Sequence, residues 1–340
     1  MIDVAVAGGG PVGLGAALYA HRAGLDVTVF EPRTGAIDKA CGEGLMPGAV
    51  GALADLGLDP PGHPLRGIRY IAGDRSAEAD FRHGLGRGVR RTTLHDALGT
   101  AVAAAGIPVV PHPVSEVVQD GASVRLDGTC ARFVLAADGL HSPIRRLLRM
   151  DDPVQCGQRF GLRCHAEIAP WTDHVEVHWS DLAEAYVTPV GPRLVGVALL
   201  TSSRGTFDEL LAGFPVIRER VAGATRSRVR GAGPLRQRSR RRVAGRVLLV
   251  GDASGYVDAL TGEGIALGLA QARAAVAAIL AGRPATYEAS WQRITWRYRL
   301  LTASLLGASR LSPVRRSIVP AAARLPWVFA AAVNELARPA

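Results

Sequence analysis

Residues 2–31 read IDVAVAGGGPVGLGAALYAHRAGLDVTVFE and contain two strand patterns separated by a glycine turn and a helix pattern. The apolar, β-branched run at residues 2–7 predicts the first strand, and residues 14–23 predict the helix. A second strand, predicted at residues 26–30, ends on the acid Glu31. This order of strand, glycine turn, helix, strand and acid is the dinucleotide-binding fingerprint in its required context, and it predicts a bound FAD or NAD.

Each residue of the glycine turn has a physical reason to be there. Gly8 permits the tight turn, Gly10 lets the backbone approach a pyrophosphate closely, and Gly13 lets the helix pack against the strand. Pro11 is tolerated near a helix start, where its missing N–H costs little. The N-terminus of this helix, including the N–H of Val12, would present free N–H groups and a partial positive charge to the phosphates. The alternative is a glycine turn that serves packing alone.

The acid after the second strand is expected to contact the adenosine half of the cofactor. Glu31 lies eighteen residues past Gly13, where it would accept hydrogen bonds from a ribose 2′-OH and repel a 2′-phosphate. Arg33, two residues further on, is a candidate contact of the same half of the cofactor.

Composition restricts the class of partner. The 340 residues carry a formal net charge of +10, and the positive charge is arginine apart from one lysine, Lys39. A basic surface favours acidic substrates, phosphates or anionic lipid, although an Ala/Arg/Gly-rich chain is also what a GC-rich genome produces. Nucleic acid is not an expected partner, because the sequence has no helix-turn-helix pattern and only 5% aromatic residues. No zinc-ligand spacing is present, and no metal site is predicted.

Cysteine usage and hydropathy predict the compartment. The four cysteines, at positions 41, 130, 156 and 164, form no CxxC pair and no disulfide framework, which favours a reducing cytoplasm. The N-terminus matches a buried strand rather than a signal peptide. No apolar run reaches the roughly 18 residues of a spanning helix. The expectation is a cytoplasmic protein, soluble or membrane-peripheral, with its oligomeric state left open.

Two further motifs, Asp138-Gly139 and Gly251-Asp252, each follow a predicted buried strand. The order of the three motifs resembles the FAD-binding aromatic-hydroxylase superfamily, which includes the group A flavin monooxygenases, the flavin halogenases and the geranylgeranyl reductases. The motifs span residues 8–264, so the resemblance covers most of the chain. An NAD dehydrogenase would have no use for Gly251-Asp252, whereas FAD needs its ribityl chain and flavin ring held as well.

The resemblance implies roles for residues outside the fingerprint. Asp252 would hydrogen-bond a ribityl hydroxyl. Backbone N–H groups of residues 262–265 would face the pyrimidine edge of the flavin, where negative charge develops on reduction. Arg91 matches an arginine that contacts FAD, and Asp138 matches the segment near the pyrophosphate, which these enzymes also use for the nicotinamide donor. The cofactor-binding residues that the resemblance adds are Gly44, Leu45, Arg91, Asp138, Gly251, Asp252, Gly262, Glu263, Gly264 and Ile265.

The resemblance and the strand and helix patterns together predict an α/β fold. It comprises a Rossmann-type FAD-binding domain, an inserted antiparallel β-sheet substrate domain and C-terminal helices. The predicted boundaries are 1–155 and 243–283 for the FAD-binding domain, 156–242 for the substrate sheet and 284–340 for the helical region. Residues 65–90 are candidates to add strands to the substrate sheet.

Two loops distinguish the subfamilies. Residues 41–45 (CGEGL) and 261–265 (TGEGI) resemble the geranylgeranyl reductases more than the hydroxylases, which usually have a histidine after Gly-Asp and Gly-Gln-Gly in the flavin loop. The aromatic-rich substrate motif of those reductases, Tyr-x-Trp-x-Phe-Pro, survives only as YVTP at residues 186–189. The halogenase signature, Trp-x-Trp-x-Ile-Pro with a separate catalytic lysine, is absent.

Two chemistries and one non-catalytic role are compatible with these motifs. The favoured one is an NAD(P)H-using flavin monooxygenase acting on a hydrophobic small molecule, aromatic, polyketide or lipid-like, whose apolar pocket shields the oxygenating flavin from water. The alternative is a geranylgeranyl-reductase-like enzyme that transfers hydride to a C=C of a prenyl or lipid substrate while an acid protonates the other carbon. A flavin-binding redox protein without turnover is the third possibility.

Three residues are candidate catalytic groups on the substrate side of the flavin. Cys41 lies in a glycine-flanked loop that the family places near the ring, although it could equally be a small buried apolar residue. Glu43 could donate a proton, with loop stabilisation as the alternative. Tyr186 lies on a strand that would roof the flavin, where it could also be a core residue.

The C-terminal region is apolar and studded with arginine. Pro313, Pro320 and Pro326 are expected to break it into short helices. These helices could cover the substrate cavity, pack on the domain without a further role, or lie on a membrane and admit a lipid-like substrate.

Overall fold

The structure, a computed structural model, describes residues 1–154 and 157–338. Its strands are β1 Ile2–Ala7, β2 Val27–Phe30, β3 Gly44–Leu45, β4 His63–Leu65, β5 Gly67–Ala72, β6 Arg75–Asp80, β7 Gly86–Gly88, β8 Val109–Val110, β9 Val117–Gln119, β10 Val124–Leu126, β11 Thr129–Ala136, β12 Phe160–Ala166, β13 His174–Trp179, β14 Ala183–Gly191, β15 Leu194–Thr201, β16 Arg230–Ala232, β17 Val243–Ala244 and β18 Val247–Leu249. Its α-helices are α1 Pro11–Arg22, α2 Pro47–Asp55, α3 Arg91–Ala104, α4 Pro143–Leu147, α5 Phe207–Leu211, α6 Pro215–Arg220, α7 Gly264–Leu280, α8 Tyr287–Ser309, α9 Ser312–Arg324 and α10 Pro326–Leu336.

The first sheet is the dinucleotide-binding sheet. Its main path runs β17-β18-β11-β1-β2-β8, and β1 pairs in parallel with both β2 and β11. Strand β18 is also parallel to β11, whereas β9 and β10 join β11 as an antiparallel hairpin. The VAVA run of β1 is buried on both faces, as expected for a parallel strand covered by helices.

Helices α1, α3 and α7 cover one face of this sheet. Their apolar side chains, among them Leu14, Leu98 and Leu269, form one core cluster with Val4 and Val6 of β1. On helix α4, the Ser142 hydroxyl accepts a hydrogen bond from Arg145 N at 2.9 Å and so caps the N-terminus of the helix.

The second sheet, here called the substrate sheet, has seven strands in the order β16-β12-β15-β14-β13-β5-β6. Neighbours pair antiparallel, with the exception of β5 and β13, which run parallel. The α/β fold with a Rossmann-type domain and a second sheet is confirmed. The strands of the inserted segment pair antiparallel. Strand β5, which comes from residues before the insertion, runs parallel to β13 because it is joined to it by a long connection rather than a hairpin.

The C-terminal helices correct one prediction. Pro320 does not break the region, since it lies inside α9, whereas Pro313 and Pro326 begin α9 and α10 as predicted. A proline in a helix removes one hydrogen bond, and here the helix continues because neighbouring Val319 is packed into the substrate-sheet core at 1% exposure. No single described helix is long and apolar enough to span a membrane. The α9–α10 pair meets that test only jointly and is bent by 101°.

Three of the predicted features touch residues outside the described ranges. These are Cys156, the domain boundary at 155/156 and the last two residues of the helical region. The described cysteines, Cys41, Cys130 and Cys164, are free thiols.

Candidate cofactor site and active site

The carboxyl ends of the parallel strands meet at the predicted glycine turn. Gly8 follows β1, its N–H donates to Phe30 O at 2.8 Å, and its φ of 106° is one that glycine adopts without strain. A Cβ on Gly8 would lie 2.4 Å from Ala137 O, at the end of β11. Only glycine therefore allows β1 and β11 to end side by side, which is where open α/β sheets bind ligands.

The N-terminus of α1 is open toward this edge. Its N-cap, Gly10, provides no capping side chain, and Pro11 begins the helix. A Cβ on Gly10 would meet only the Arg91 guanidinium, at 3.9 Å, whereas one on Gly13 would lie 1.8 Å from Gly8 O. Gly13 therefore serves packing, and Gly10 faces a space bordered by a cation. The Val12 side chain packs toward Gly251, so its cofactor contacts would come from its backbone.

Glu31 is buried and held by four donor groups, one of which is the backbone N–H of Arg33 at 3.0 Å. Its carboxylate accepts from Gly9 N at 2.8 Å and pairs with Arg33 through Nε at 2.6 Å and a second guanidinium nitrogen at 2.8 Å. Burial alone would raise the pKa of Glu31, but the hydrogen bonds from Arg33 and Gly9 lower it. The carboxylate stays ionised beside the turn, with Arg33 as its partner.

The third motif follows β18. The N–H of Gly251, at φ 61°, donates to the Gln271 side chain on α7 at 2.8 Å. Burial raises the pKa of Asp252, and the positive charges of Arg91, Lys39 and Arg145 lower it by less. The Asp252 carboxylate accepts no hydrogen bond from any described residue. It is therefore an acceptor in need of a partner at the edge where the cofactor is expected.

The loop that contains Asp138 is connected to the loop that contains Gly251 and Asp252 by Arg145, a residue that the sequence did not single out. One Asp138 oxygen accepts from Ile144 N at 2.9 Å, the other is buried without a hydrogen-bonding partner, and burial raises the pKa of this carboxyl. Arg145, 1% exposed, donates to Leu140 O and Ala253 O at 3.0 and 2.9 Å. A single buried guanidinium thus joins the loops after β11 and β18.

These groups fit a bound dinucleotide. Among the described residues, neither the buried Arg91 Nε atom nor one buried Asp138 oxygen has a hydrogen-bonding partner. The Lys39 amine lies 3.5 Å from the Cβ position of Gly139, near both Arg91 and Asp252. Unpaired buried polar groups are costly, and the diphosphate and ribityl hydroxyls of FAD would satisfy donors and acceptors of these kinds. Lys39 could have been noticed as the only lysine in the sequence.

The predicted flavin loop leads directly into α7. Gly262 has a φ of 72°, and the helix begins at Gly264 with Glu263 as an N-cap whose side chain makes no capping hydrogen bond. The first N–H groups of α7, including that of Ile265, are therefore free. The Glu263 carboxyl is 6% exposed, with one oxygen unpartnered, and burial raises its pKa to about 9. This carboxyl lies near Glu335 and Tyr298 of the C-terminal helices.

The Cys41 loop connects the two sheets. Cys41 is half-buried, and its Sγ accepts from Glu43 N at 3.4 Å. Thr188 of β14 donates to Gly42 O at 2.8 Å, and a Cβ on Gly44 would lie 3.3 Å from Val175 of β13. The neighbouring Leu45 is part of the core beneath α7. The loop therefore lies between the dinucleotide-binding sheet and the substrate sheet.

Glu43 is at the centre of a buried polar network. Its φ is 59°, its side chain is 1% exposed, and its carboxylate accepts from Arg91 N at 2.9 Å. The other oxygen lies 2.6 Å from His165 Nε2, while His165 Nδ1 lies 3.3 Å from the hydroxyl of exposed Ser227. Arg163, also buried, lies 3.8 Å from Glu43 and pairs with Asp38.

The partners of Glu43 were missed in the sequence. A signal was present, because Arg163 and His165 alternate with Cys164 on β12 and so lie on one face of a mostly apolar strand. Cys164, on the opposite face, belongs to the apolar core.

Tyr186 links the substrate sheet to the flavin loop. Its hydroxyl donates to Leu260 O at 2.8 Å, and burial raises the pKa of the phenol well above its ordinary value. Tyr186 belongs to an apolar cluster with Trp179, Leu65 and Leu260. The cluster lies between the substrate sheet and the loop that would hold the flavin.

One set of side chains away from these loops has the ligand types of a metal site. Glu78, Asp80 and His174 offer ligand atoms within 4.8 Å of one another. Two of the three are exposed, and Asp80 already pairs with His174 at 2.9 Å and with Arg66 at 3.2 Å. These pairings account for the cluster without an ion.

Several solved structures share this architecture. A geranylgeranyl bacteriochlorophyll reductase-like protein from Thermoplasma acidophilum superposes with a TM-score of 0.78 and 21% identity, covering 94% of this chain and 90% of its own. OxyS anhydrotetracycline hydroxylase from Streptomyces rimosus superposes with a TM-score of 0.69 and 23% identity, covering 99% and 75%. At these identities the likeness establishes the fold, which is that of the FAD-binding Rossmann-type flavoproteins.

Sequence relatives identify the family. A menaquinone reductase of Mycobacterium tuberculosis is 31% identical over 308 residues, which cover 80% of this chain and 75% of the relative. Digeranylgeranylglycerophospholipid reductase 1 of Methanopyrus kandleri is 29% identical over 293 residues, 77% of this chain and 76% of the relative. No protein-family model matches the chain. The chain belongs to the FAD-dependent oxidoreductase superfamily of the aromatic hydroxylases and geranylgeranyl reductases, as its motifs predicted, and is an enzyme of that class.

Proposed function

We propose that this protein is an FAD-dependent reductase of a C=C bond in the prenyl chain of a lipid, either a prenylated quinone or an isoprenoid lipid. The observation that carries the proposal is the 31% identity to a protein named menaquinone reductase. The Cys41 and flavin-loop motifs support the same subfamily. This reverses the order of the two chemistries expected from the sequence, where a monooxygenase was favoured.

The chain's own residues would hold the cofactor at both ends. The open N-terminus of α1 with Arg91 and Lys39 suits the diphosphate, and Asp252 suits a ribityl hydroxyl. The free N–H groups at the start of α7 would stabilise negative charge on the reduced ring. When bound, FAD supplies the hydride for the C=C, and NAD(P)H is the proposed source of its electrons.

The second carbon of the C=C requires a proton. Cys41, half-buried between the sheets, is the proposed donor, and Glu43 with His165 positions its loop. His165 also connects Glu43 to exposed Ser227, so these three side chains offer a route from solvent to the interior of the loop. Tyr186 is a less suitable donor because its hydroxyl already donates to Leu260 O.

The side chains between the two sheets suit an apolar substrate. Trp179, Tyr186 and Leu260 belong to one cluster with Val175 and Leu65, and each of these five is at most 8% exposed. A prenyl chain has no polar group to satisfy in such a place, so its burial is favourable without compensating hydrogen bonds.

Product analysis tests the proposal. The FAD-loaded protein is reduced chemically without oxygen and mixed with a geranylgeranyl lipid or a menaquinone in detergent, and the lipid is analysed by mass spectrometry after air reoxidises any quinol. We expect the prenyl chain to retain two added hydrogens. Recovery of unreduced prenyl chains, or of a product with one added oxygen formed only in air, would overturn the proposal and favour quinone-ring reduction or monooxygenation.

A cysteine pair provides the residue-level control. Cys41→Ser should slow formation of the reduced lipid while leaving the FAD content intact, and Cys130→Ser, at an exposed thiol, should change neither. Equal rates for the wild type and Cys41→Ser would return Cys41 to a packing role.

A further inference from the structure

The corner between α9 and α10 exposes a compact set of apolar side chains. Leu325, Trp327 and Val328 are 47%, 71% and 41% exposed, and all residues from 323 to 328 are exposed. Large apolar side chains exposed in sequence, with tryptophan among them, are typical of a surface that meets another apolar phase.

The corner is held firmly by the opposite side of α10. Phe329 and Val333 pack with Ala77 and Ala79 of β6. The Asn334 amide donates to Asp80 O at 2.9 Å and its carbonyl accepts from Arg82 N at 2.6 Å. The exposed side chains are therefore presented by a fixed helix pair and not by a frayed end.

The positive charge of the corner comes from Arg324, because the other described arginines of this region, Arg315, Arg316 and Arg338, pair with acids. From Ser312 to Arg338 the chain has four arginines and one acid, Glu335, which pairs with Arg297 and Arg338. Arg324, exposed and next to Leu325, has no ion-pair partner among the described residues. An arginine beside exposed apolar side chains matches an anionic lipid surface, and the net charge of +10 acts in the same direction.

A row of aromatic side chains leads from the corner into the protein. Phe329 follows Val328, and its ring centroid lies 4.8 Å from that of Tyr70 on β5. The Tyr70 ring lies 5.5 Å from that of Trp179, which shares the apolar cluster of Tyr186 and the flavin-loop residue Leu260. The buried side of α10, behind the exposed corner, is thus joined to the proposed substrate region by aromatic contacts.

We infer that the α9–α10 corner docks on the surface of an anionic bilayer, inserting Leu325, Trp327 and Val328 among the lipid headgroups. The joint apolar length of α9 and α10 does not make this a span, because the 101° bend places the two helices in different directions. The aromatic row would then begin at the membrane and guide a lipid chain inward. The inference of membrane docking depends only on the exposed residues of the corner. Entry of the lipid substrate by this route rests in addition on the proposed function.

Vesicle binding tests docking without any turnover. The full-length, FAD-loaded protein is sedimented with vesicles of phosphatidylcholine alone or mixed with phosphatidylglycerol. We expect binding to the mixed vesicles, and a Leu325→Ser/Trp327→Ser variant should bind at least about tenfold more weakly because it loses most of the inserted apolar area. Leu280→Ser, which changes an equally exposed leucine (53%) at the end of α7, should bind like the wild type.

The charge contribution has its own matched pair. Arg324→Gln should weaken binding to the mixed vesicles about fivefold, in line with one arginine near an anionic surface, and more in low salt than in high salt. Arg283→Gln, an exposed arginine in the turn after α7, should have no effect.

Two results would overturn the inference: a wild type that stays in solution with mixed vesicles, or a double variant that sediments like the wild type. Brominated acyl chains give an independent check, since they should quench wild-type fluorescence more than that of Trp327→Phe. If the double variant loses vesicle binding as expected but the wild type reduces no lipid, the docking inference is supported and the proposed function is wrong. If the double variant fails only on vesicle-embedded lipid and still reduces detergent-dissolved lipid, both stand.

Discussion

Two half-buried carboxyls at neighbouring strand ends, Asp138 and Asp252, lack the full set of hydrogen-bonding partners among the described residues. Burial without partners is costly, and residues kept in that condition are commonly those that meet a ligand. Both follow strands of the parallel sheet and lie near cations, which is the arrangement needed to hold the two ends of a dinucleotide.

Replacing Asp252 should separate cofactor binding from stability. Asp252→Ala should purify largely without FAD, as judged by the ratio of flavin to protein absorbance. The apoprotein should unfold close to the wild-type temperature, because the half-buried Asp252 carboxylate accepts no hydrogen bond from a described residue and its loss removes none. Asp74→Ala, in the exposed β5–β6 turn, should keep its flavin. Full flavin retention by Asp252→Ala would refute the ribityl assignment.

Glu263 predicts a pH dependence of stability. The folded protein keeps the Glu263 proton up to a pKa of about 9, whereas the unfolded chain loses it near 4.5. Stability contributed by this group is therefore full at low pH and falls as pH rises through that window. One proton accounts for about 1.4 kcal/mol per pH unit, so up to about 4 kcal/mol is lost between pH 5 and pH 8.

A neutral variant should remove that loss. Thermal unfolding of Glu263→Gln should show greater stability than the wild type at pH 8 and a much smaller difference at pH 5. Glu219→Gln, at an exposed acid on α6, should follow the wild-type profile throughout. Parallel profiles for Glu263→Gln and the wild type would mean that the carboxyl is ionised when buried.

Contacts between residues that are close in the chain are within reach of sequence-based prediction. Glu31 and Arg33 are two residues apart, and the cap by Ser142 is local. The Glu43–His165 contact joins residues 122 positions apart, and it depends on how β12 is placed against the Cys41 loop. Side-chain types alone carry no information about such placement, which is why His165 was missed.

At the level of elements, the start of α1 packs very closely against the glycine turn that follows β1. A Cβ on Gly13 would lie 1.8 Å from Gly8 O, while Gly99, inside α3, has open space at its Cβ position. Gly13→Ala should therefore destabilise the apoprotein by about 1–3 kcal/mol or more and abolish FAD binding. Gly99→Ala should stabilise it by about 0.5–1 kcal/mol, because alanine favours a helix interior.

Denaturant unfolding of the two glycine variants measures this difference directly. Both variants replace glycine by alanine within a helix, so the gain in helix propensity is similar in both. The difference between their free energies of unfolding therefore reports the close contact at Gly13. A Gly13→Ala protein as stable as Gly99→Ala would contradict the close packing of α1 on the glycine turn.

Helix and strand prediction failed where packing outweighs local preference. Pro320 was expected to end a helix, and it lies inside α9 because neighbouring Val319 is anchored in the core. Prolines at Pro313 and Pro326 behaved as expected, since a helix start needs no N–H at that position. Local chemistry sets where a helix can begin, and tertiary contacts decide whether it continues.

At the scale of the whole molecule, the dinucleotide-binding sheet could be predicted because each of its motifs follows a strand directly. The substrate sheet was less predictable, since the parallel pairing of β5 with β13 joins segments about a hundred residues apart. The sequence could not decide between reduction and oxygenation. Both chemistries use the same FAD-binding fold, and they differ in the molecule that binds in the apolar region.

The most direct measurement is the anaerobic reoxidation of the chemically reduced, FAD-loaded protein by a geranylgeranyl lipid, followed by the return of oxidised-flavin absorbance. A reductase of prenyl C=C bonds predicts that the lipid restores the absorbance without oxygen, with one lipid reduced for each flavin reoxidised. Reoxidation by oxygen alone, with no response to any prenyl lipid, would contradict the proposed function.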